Sequence, residues 1–114
     1  VIVTLNLYGD ILSDIAAELA GSVGLAGSAN IGEHAAMFEA VHGSAPDIAG
    51  KDIANPMAVI LSGVLMLRHI GENDAASRID AALTKVLAEK KHVTRDLGGD
   101  AGTKRFTEAI IAKL

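Results

Sequence analysis

With 114 residues the chain is at most one ordinary domain, and with half of it hydrophobic but only three residues aromatic its core must be aliphatic. A net charge of −4, with ten scattered Lys and Arg and no basic stripe, argues against nucleic acid or an anionic membrane as the main partner. The absence of cysteine excludes disulfides, thiolate zinc sites and a cysteine nucleophile, and leaves the cytosol or an organelle matrix as the expected compartment.

The chain opens on Val1-Ile2-Val3 rather than Met, inside a β-branched run to Leu5 that predicts a buried strand. That opening leads us to expect a piece of a longer protein, and no signal peptide is visible. Gly9-Asp10 follows, with Asp10 expected as an N-cap. Ile11, Leu12, Ile15, Ala16 and Leu19 recur at helical spacing until Gly21. Gly21, Gly24, Gly27 and Gly32 then mark a loop, and the best place for a hinge or domain crossing. Ala36 to Val41 reads as a second strand and Gly43 to Asn55 as a long loop. Asn55 is expected to cap a helix with Pro56 at its first position.

That helix, Met57 to about His69, is apolar on nearly every face and is predicted to be central and buried. The uncharged stretch Ile53–Leu67 is shorter than the roughly 20 residues of a membrane-spanning helix. After Gly71, a helix from about Asp74 to Lys90 has an apolar stripe (Ala75, Ala76, Ile79, Ala82, Leu83, Val86, Leu87) opposite charged residues, so it should lie on the surface. Leu97-Gly98-Gly99-Asp100 is a turn, and a last helix starts near Thr103 with Phe106, Ala109 and Ile110 inward. The strand–helix–strand–helix order predicts an α/β architecture.

Two places carry chemistry. Asp10 and Asp14 stand four residues apart, neighbours on one helix face, where like charges destabilise by about 0.2–0.5 kcal/mol. Either Asp10 caps and Asp14 favours the positive end of the helix dipole, or both serve a hard divalent cation, which takes carboxylate oxygens. The loop His42-Gly43-Ser44-Ala45-Pro46-Asp47-Ile48-Ala49-Gly50 is either a plain connection or a ligand loop. It is long, and it runs from a strand to a helix N-terminus, where backbone N–H groups favour anions. It is not a Gly-x-Gly-x-x-Gly fingerprint. His34, His69 and His92 carry no special role, and Tyr8 is expected to pack.

The segments Asn6-Leu7-Tyr8-Gly9-Asp10-Ile11-Leu12-Ser13-Asp14, Ser28-Ala29-Asn30-Ile31-Gly32, Phe38-Glu39-Ala40-Val41-His42-Gly43-Ser44-Ala45-Pro46, Ala54-Asn55-Pro56, Leu67-Arg68-His69 and Asp96-Leu97-Gly98-Gly99 occur in that order. Together they resemble the C-terminal part of the isocitrate/isopropylmalate dehydrogenase family, over essentially the whole chain, and look most like its NAD-dependent isocitrate dehydrogenases. The resemblance implies the C-terminal portion of a two-domain α/β fold. Residues 1–20 would belong to the smaller domain and 21–114 to the larger, nucleotide-binding one.

It also implies oxidation and decarboxylation of a 2-hydroxy acid, isocitrate first, with homoisocitrate, 3-isopropylmalate and tartrate as alternatives. Asp10 and Asp14 would hold Mg²⁺ or Mn²⁺, acting as a Lewis acid. His42, Gly43, Ser44 and Ala45 would line the adenosine end of the cofactor, and Asn55 would reach the adenine. NADP-using members resemble one another in having Lys and Tyr where this chain has Asp47 and Ile48. Asp47 can accept bonds from a free ribose 2′-OH and would repel a 2′-phosphate, which points to NAD. The family's acid–base Lys and Tyr belong to upstream segments, so no catalytic residue is placed on this chain, and residues 1–114 alone are expected to be inactive. A homodimer or higher oligomer is implied, because a neighbouring subunit supplies a further metal carboxylate. Regulatory subunits that do not catalyse tend to lose the metal aspartates, and both are kept here. Gly27 departs from the family, where many members have Pro, and implies a more flexible loop.

Overall fold

Val1–Leu5 carries a strand-forming composition, yet it has no regular secondary structure, because no neighbouring strand offers it hydrogen-bond partners. The expected strand is therefore absent. The computed structural model describes the backbone of residues 1–114 and every side chain except those of Ala20 and Val23.

Helix α1 runs Asn6–Ala20, with Leu5 at its N-cap position and Gly9 N–H bonded to the Leu5 carbonyl at 2.9 Å. It starts earlier than expected, since nothing in Asn6-Leu7-Tyr8 stops a helix. Asp10 therefore lies inside the helix and is not its cap. Gly21 ends it at φ 139°, a conformation that favours glycine. Among the described residues α1 makes its main contacts with the short 3-10 turn Val23–Leu25. Leu7, Ile11, Ile15 and Leu19, a row at four-residue spacing, are all exposed.

The glycine-rich stretch contains a strand as well as turns. β1 (Gly27–Ile31) pairs antiparallel with β2 (Ala36–Ala40), with Gly27 opposite Ala40 and Ile31 opposite Ala36. The mixed α/β class holds, but the order is helix, hairpin, then three helices. Gly27 is no flexible loop residue: a Cβ there would come within 2.7 Å of the Ser62 backbone nitrogen, so its lack of a side chain lets β1 lie against the next helix.

That helix, α2 (Met57–His69), is the centre of the fold and touches β1, β2 and α3 (Asn73–Glu89). It begins one residue later than expected, with Pro56 at the N-cap place, but Asn55 still caps: its Oδ1 accepts the Met57 N–H at 2.9 Å. The Ser62 hydroxyl lies 2.7 Å from the Glu39 carbonyl oxygen and ties α2 to β2. Burial of α2 is partial rather than complete. Met57, Ala58, Ser62 and Val64 are buried, whereas Val59 is 58% exposed on the flank that no described element covers.

α3 lies on the surface as expected, with Ala76, Ala82, Leu83 and Val86 inward. It leads through a 3-10 turn at Arg95–Leu97 into α4 (Thr103–Ile111). The core gathers Met57, Ala82, Leu83, Val86, Val93, Phe106 and Ile110. Two half-exposed ion pairs edge it, Arg68–Asp80 between α2 and α3 and Lys113–Glu89 between the C-terminus and α3. Water screens both pairs, so each contributes little. The hydrogen bond from Lys113 holds the Glu89 carboxyl below its ordinary range, so this small contribution is present above that range and fades as pH falls through the lowered value. No helix among the described residues is long and apolar enough to cross a membrane.

Candidate nucleotide cleft and metal-binding helix

The loop between β2 and α2 is shaped at both ends by residues with left-handed backbone. Ala45 has φ 43° and turns the chain into a 3-10 turn at Pro46–Ile48, and Asp52 has φ 56° just before α2. Non-glycine residues adopt this region only where the surroundings hold them, and such positions concentrate at ligand sites.

The loop walls one side of a cleft of about 1010 Å³, large enough for a cofactor. Of the seven residues expected to bind the cofactor, His42, Gly43, Ser44, Ala45, Ile48 and Asn55 line it. Asp47 sits in the same turn, exposed, and is not part of the lining. The His42 Nδ1 lies 2.8 Å from the Gly43 carbonyl oxygen. A carbonyl can only accept, so the ring proton belongs on Nδ1, and Nε2 is left to accept from a ligand in the neutral ring.

Asn55 does more than face the cleft. Its Nδ2 donates to Asp96 Oδ2 at 2.8 Å while its Oδ1 accepts from α2, which leaves one amide N–H and one oxygen lone pair for a ligand. The opposite wall comes from Arg95, Asp96, Thr103 and Lys104, and Asp52, on the loop side, lines the cleft as well. Reading the sequence did not assign these five to the site. For Arg95, Asp96, Thr103 and Lys104 the only local signal was the Asp96-Leu97-Gly98-Gly99 motif, because the fold brings them to the loop from some forty to fifty positions away, and Asp52, within the loop, shows its role only through its bonds to them. The charged side chains of the cleft are balanced, Asp52 and Asp96 against Arg95 and Lys104.

Asp10 and Asp14 lie apart from this cleft, both exposed on α1, and neither lines it. Among the described residues no group of three or more His, Cys, Asp or Glu could hold a metal. A pair of hard oxygen donors still fits Mg²⁺ or Mn²⁺, which take one or two protein carboxylates and fill the shell with water and substrate oxygens. The alternative account of the pair fails on geometry. Asp10 is the fifth residue of α1 and Asp14 the ninth, so neither caps, and no acidic residue occupies the first turn where the helix dipole acts.

The sequence model described as isocitrate/isopropylmalate dehydrogenase matches residues 1–110. The chain belongs to the isocitrate/isopropylmalate dehydrogenase family. It is 58% identical to an isocitrate dehydrogenase [NADP] of Rickettsia felis over 100% of this chain and 25% of that protein. It is 57% identical to the mitochondrial isocitrate dehydrogenase [NAD] catalytic subunit 5 of Arabidopsis thaliana, over 96% of this chain and 30% of that protein. The crystal structure of isocitrate dehydrogenase from Methylococcus capsulatus superposes with a TM-score of 0.90 at 57% identity, covering 95% of this chain and 32% of that one. The chain thus spans a quarter to a third of the length of these family members, and the family members it resembles divide between the two cofactors.

Proposed function

We propose that this chain forms the nucleotide-binding and metal-binding part of a dehydrogenase that converts isocitrate to 2-oxoglutarate and CO₂ with NAD and Mg²⁺ or Mn²⁺. The observation that carries the reading is the single cleft lined by His42, Gly43, Ser44, Ala45, Ile48 and Asn55. In this reading the loop holds the adenosine end of the cofactor, with Asn55 toward the adenine. Asp47 stands beside the ribose, where its carboxylate favours a free 2′-OH over a 2′-phosphate.

Asp10 and Asp14 hold the divalent cation, which when bound supplies Lewis-acid polarisation of the substrate's oxygens. Residues 1–20 belong to the smaller of two domains and 21–114 to the larger, with Gly21 at the crossing. General acid–base chemistry is assigned to residues outside 1–114. Assembly into a dimer or higher oligomer is part of the same reading, and the exposed row Leu7, Ile11, Ile15 and Leu19 is a face for the remainder of the smaller domain or for a second subunit to cover.

The test is reduction of NAD and of NADP by the complete enzyme with isocitrate, homoisocitrate, 3-isopropylmalate or tartrate, with and without Mn²⁺. The expected result is Mn²⁺-dependent turnover with isocitrate giving the highest kcat/KM and NAD preferred. Highest kcat/KM on another of the four acids would replace the substrate, and turnover indifferent to chelation would remove the metal. Asp47→Lys with Ile48→Tyr should shift the ratio of kcat/KM for NAD and NADP toward NADP by on the order of tenfold or more, the effect of about 1.4 kcal/mol. An unchanged ratio would end the case for Asp47 as the cofactor discriminator.

A further inference from the structure

α4 begins at Thr103 with Gly102 in the N-cap place, and glycine has no side chain to accept the free N–H groups of the first turn. Asp52, 52 positions before Lys104, does so instead. Its Oδ1 accepts the Lys104 N–H at 2.9 Å, and its own carbonyl accepts the Thr103 N–H at 3.1 Å. The space is reserved for it, since a Cβ at Gly102 would fall on the Asp52 carbonyl oxygen and carboxylate. Asp52 makes both contacts from a left-handed backbone, φ 56°, where glycine and asparagine are the residues most at ease. Beside this contact the Thr103 hydroxyl donates to the Ala54 carbonyl, and the Asn55 amide donates to Asp96. All six of these side-chain and backbone partners, from Asp52 to Lys104, line the one cleft.

We propose that Asp52 is a positioning residue for the dinucleotide: as a remote cap of α4 it clamps the nucleotide loop to the opposite wall and sets the width of the cleft. The inference rests on the dehydrogenase reading above. Releasing the clamp widens the cleft and weakens cofactor binding, while Asp10 and Asp14, carried on α1, are untouched.

Two variants of the complete enzyme separate the clamp from a mere turn. Asp52→Asn keeps an oxygen acceptor and tolerates the left-handed backbone. Asp52→Gly relaxes the backbone fully and deletes the side-chain acceptor, keeping only the backbone carbonyl. With a clamp, Asp52→Gly raises the KM for the dinucleotide by roughly five- to tenfold, with kcat and the KM for the hydroxy acid within about twofold, and Asp52→Asn stays close to wild type. Amide hydrogen exchange reads the contact without any turnover: the Lys104 amide, bonded to the Asp52 carboxylate, exchanges faster in Asp52→Gly and stays protected in Asp52→Asn.

A glycine variant with unchanged cofactor KM and unchanged exchange refutes the clamp. So does a fall in kcat with the cofactor KM intact. A wild-type enzyme that neither binds nor reduces NAD or NADP refutes the dehydrogenase reading itself, and this inference with it. Normal wild-type binding beside an indistinguishable glycine variant refutes the clamp alone.

Discussion

Replacing Asp10 or Asp14 with asparagine in the complete enzyme is expected to lower kcat/KM on the order of a thousandfold, while leaving the fold as stable as before or slightly more so. A Lewis-acid cation contributes several kcal/mol to the transition state, and each loss of about 1.4 kcal/mol is a factor of ten. The stability side comes from α1 itself. The two carboxylates are one helical turn apart and both exposed, so neutralising one relieves a repulsion of about 0.2–0.5 kcal/mol. A structural role would predict the reverse, with stability falling and activity following it. Titrating Mn²⁺ into wild type and variants by calorimetry, beside thermal unfolding of the same samples, separates the two. Retained Mn²⁺ affinity in both variants would overturn the metal assignment.

The second large effect concerns the core. Phe106 is wholly buried on α4 against the cluster that contains Met57, Leu83 and Val86. Truncation to alanine in Phe106→Ala should cost about 3–5 kcal/mol, because the lost burial is joined by a cavity that tightly packed neighbours cannot fill. A domain's whole stability is about 5–15 kcal/mol, so this one change removes a large part of it. Urea denaturation should show the midpoint falling sharply. Glu108→Ala, exposed on the same helix, should move stability by less than about 0.5 kcal/mol. The same variant tests the path from core to cleft, since α4 carries Thr103 and Lys104 into the lining. A stability loss in Phe106→Ala no larger than that of Glu108→Ala would show that α4 is not anchored by its aromatic residue.

Elements with their own apolar period were legible. The helices at Met57–His69, Asn73–Glu89 and Thr103–Ile111 fall within a residue or two of the sequence expectation. So does the strand Ala36–Ala40, with its alternation of half-buried and exposed side chains. Two segments were misread for opposite reasons. Val1–Leu5 has the composition of a strand but no partner to bond, whereas Gly27–Ile31 has the composition of a loop and becomes a strand by pairing with β2 against α2. Strand formation depends on neighbours more than on intrinsic preference. The candidate site divides the same way. The loop from His42 to Asn55 was readable because its residues are consecutive. The wall of Arg95, Asp96, Thr103 and Lys104, and the role of Asp52 against it, arise from contacts across 41 to 52 positions, which no local pattern records.

The two-walled cleft also has a consequence for the lifetime of the folded chain. Its walls flank, in sequence, most of the residues that build the core. A ligand that grips both walls binds the native state and has nothing to bind once the chain opens. At a hundred times its dissociation constant such a ligand adds about 2.7 kcal/mol against unfolding. The benefit is greatest for α4, a helix of nine residues, too short to persist without its packing. In the proposed dehydrogenase reading, where that ligand is the dinucleotide, its abundance is expected to act on more than the rate of the reaction: it would help decide how often α4 comes loose and meets a protease.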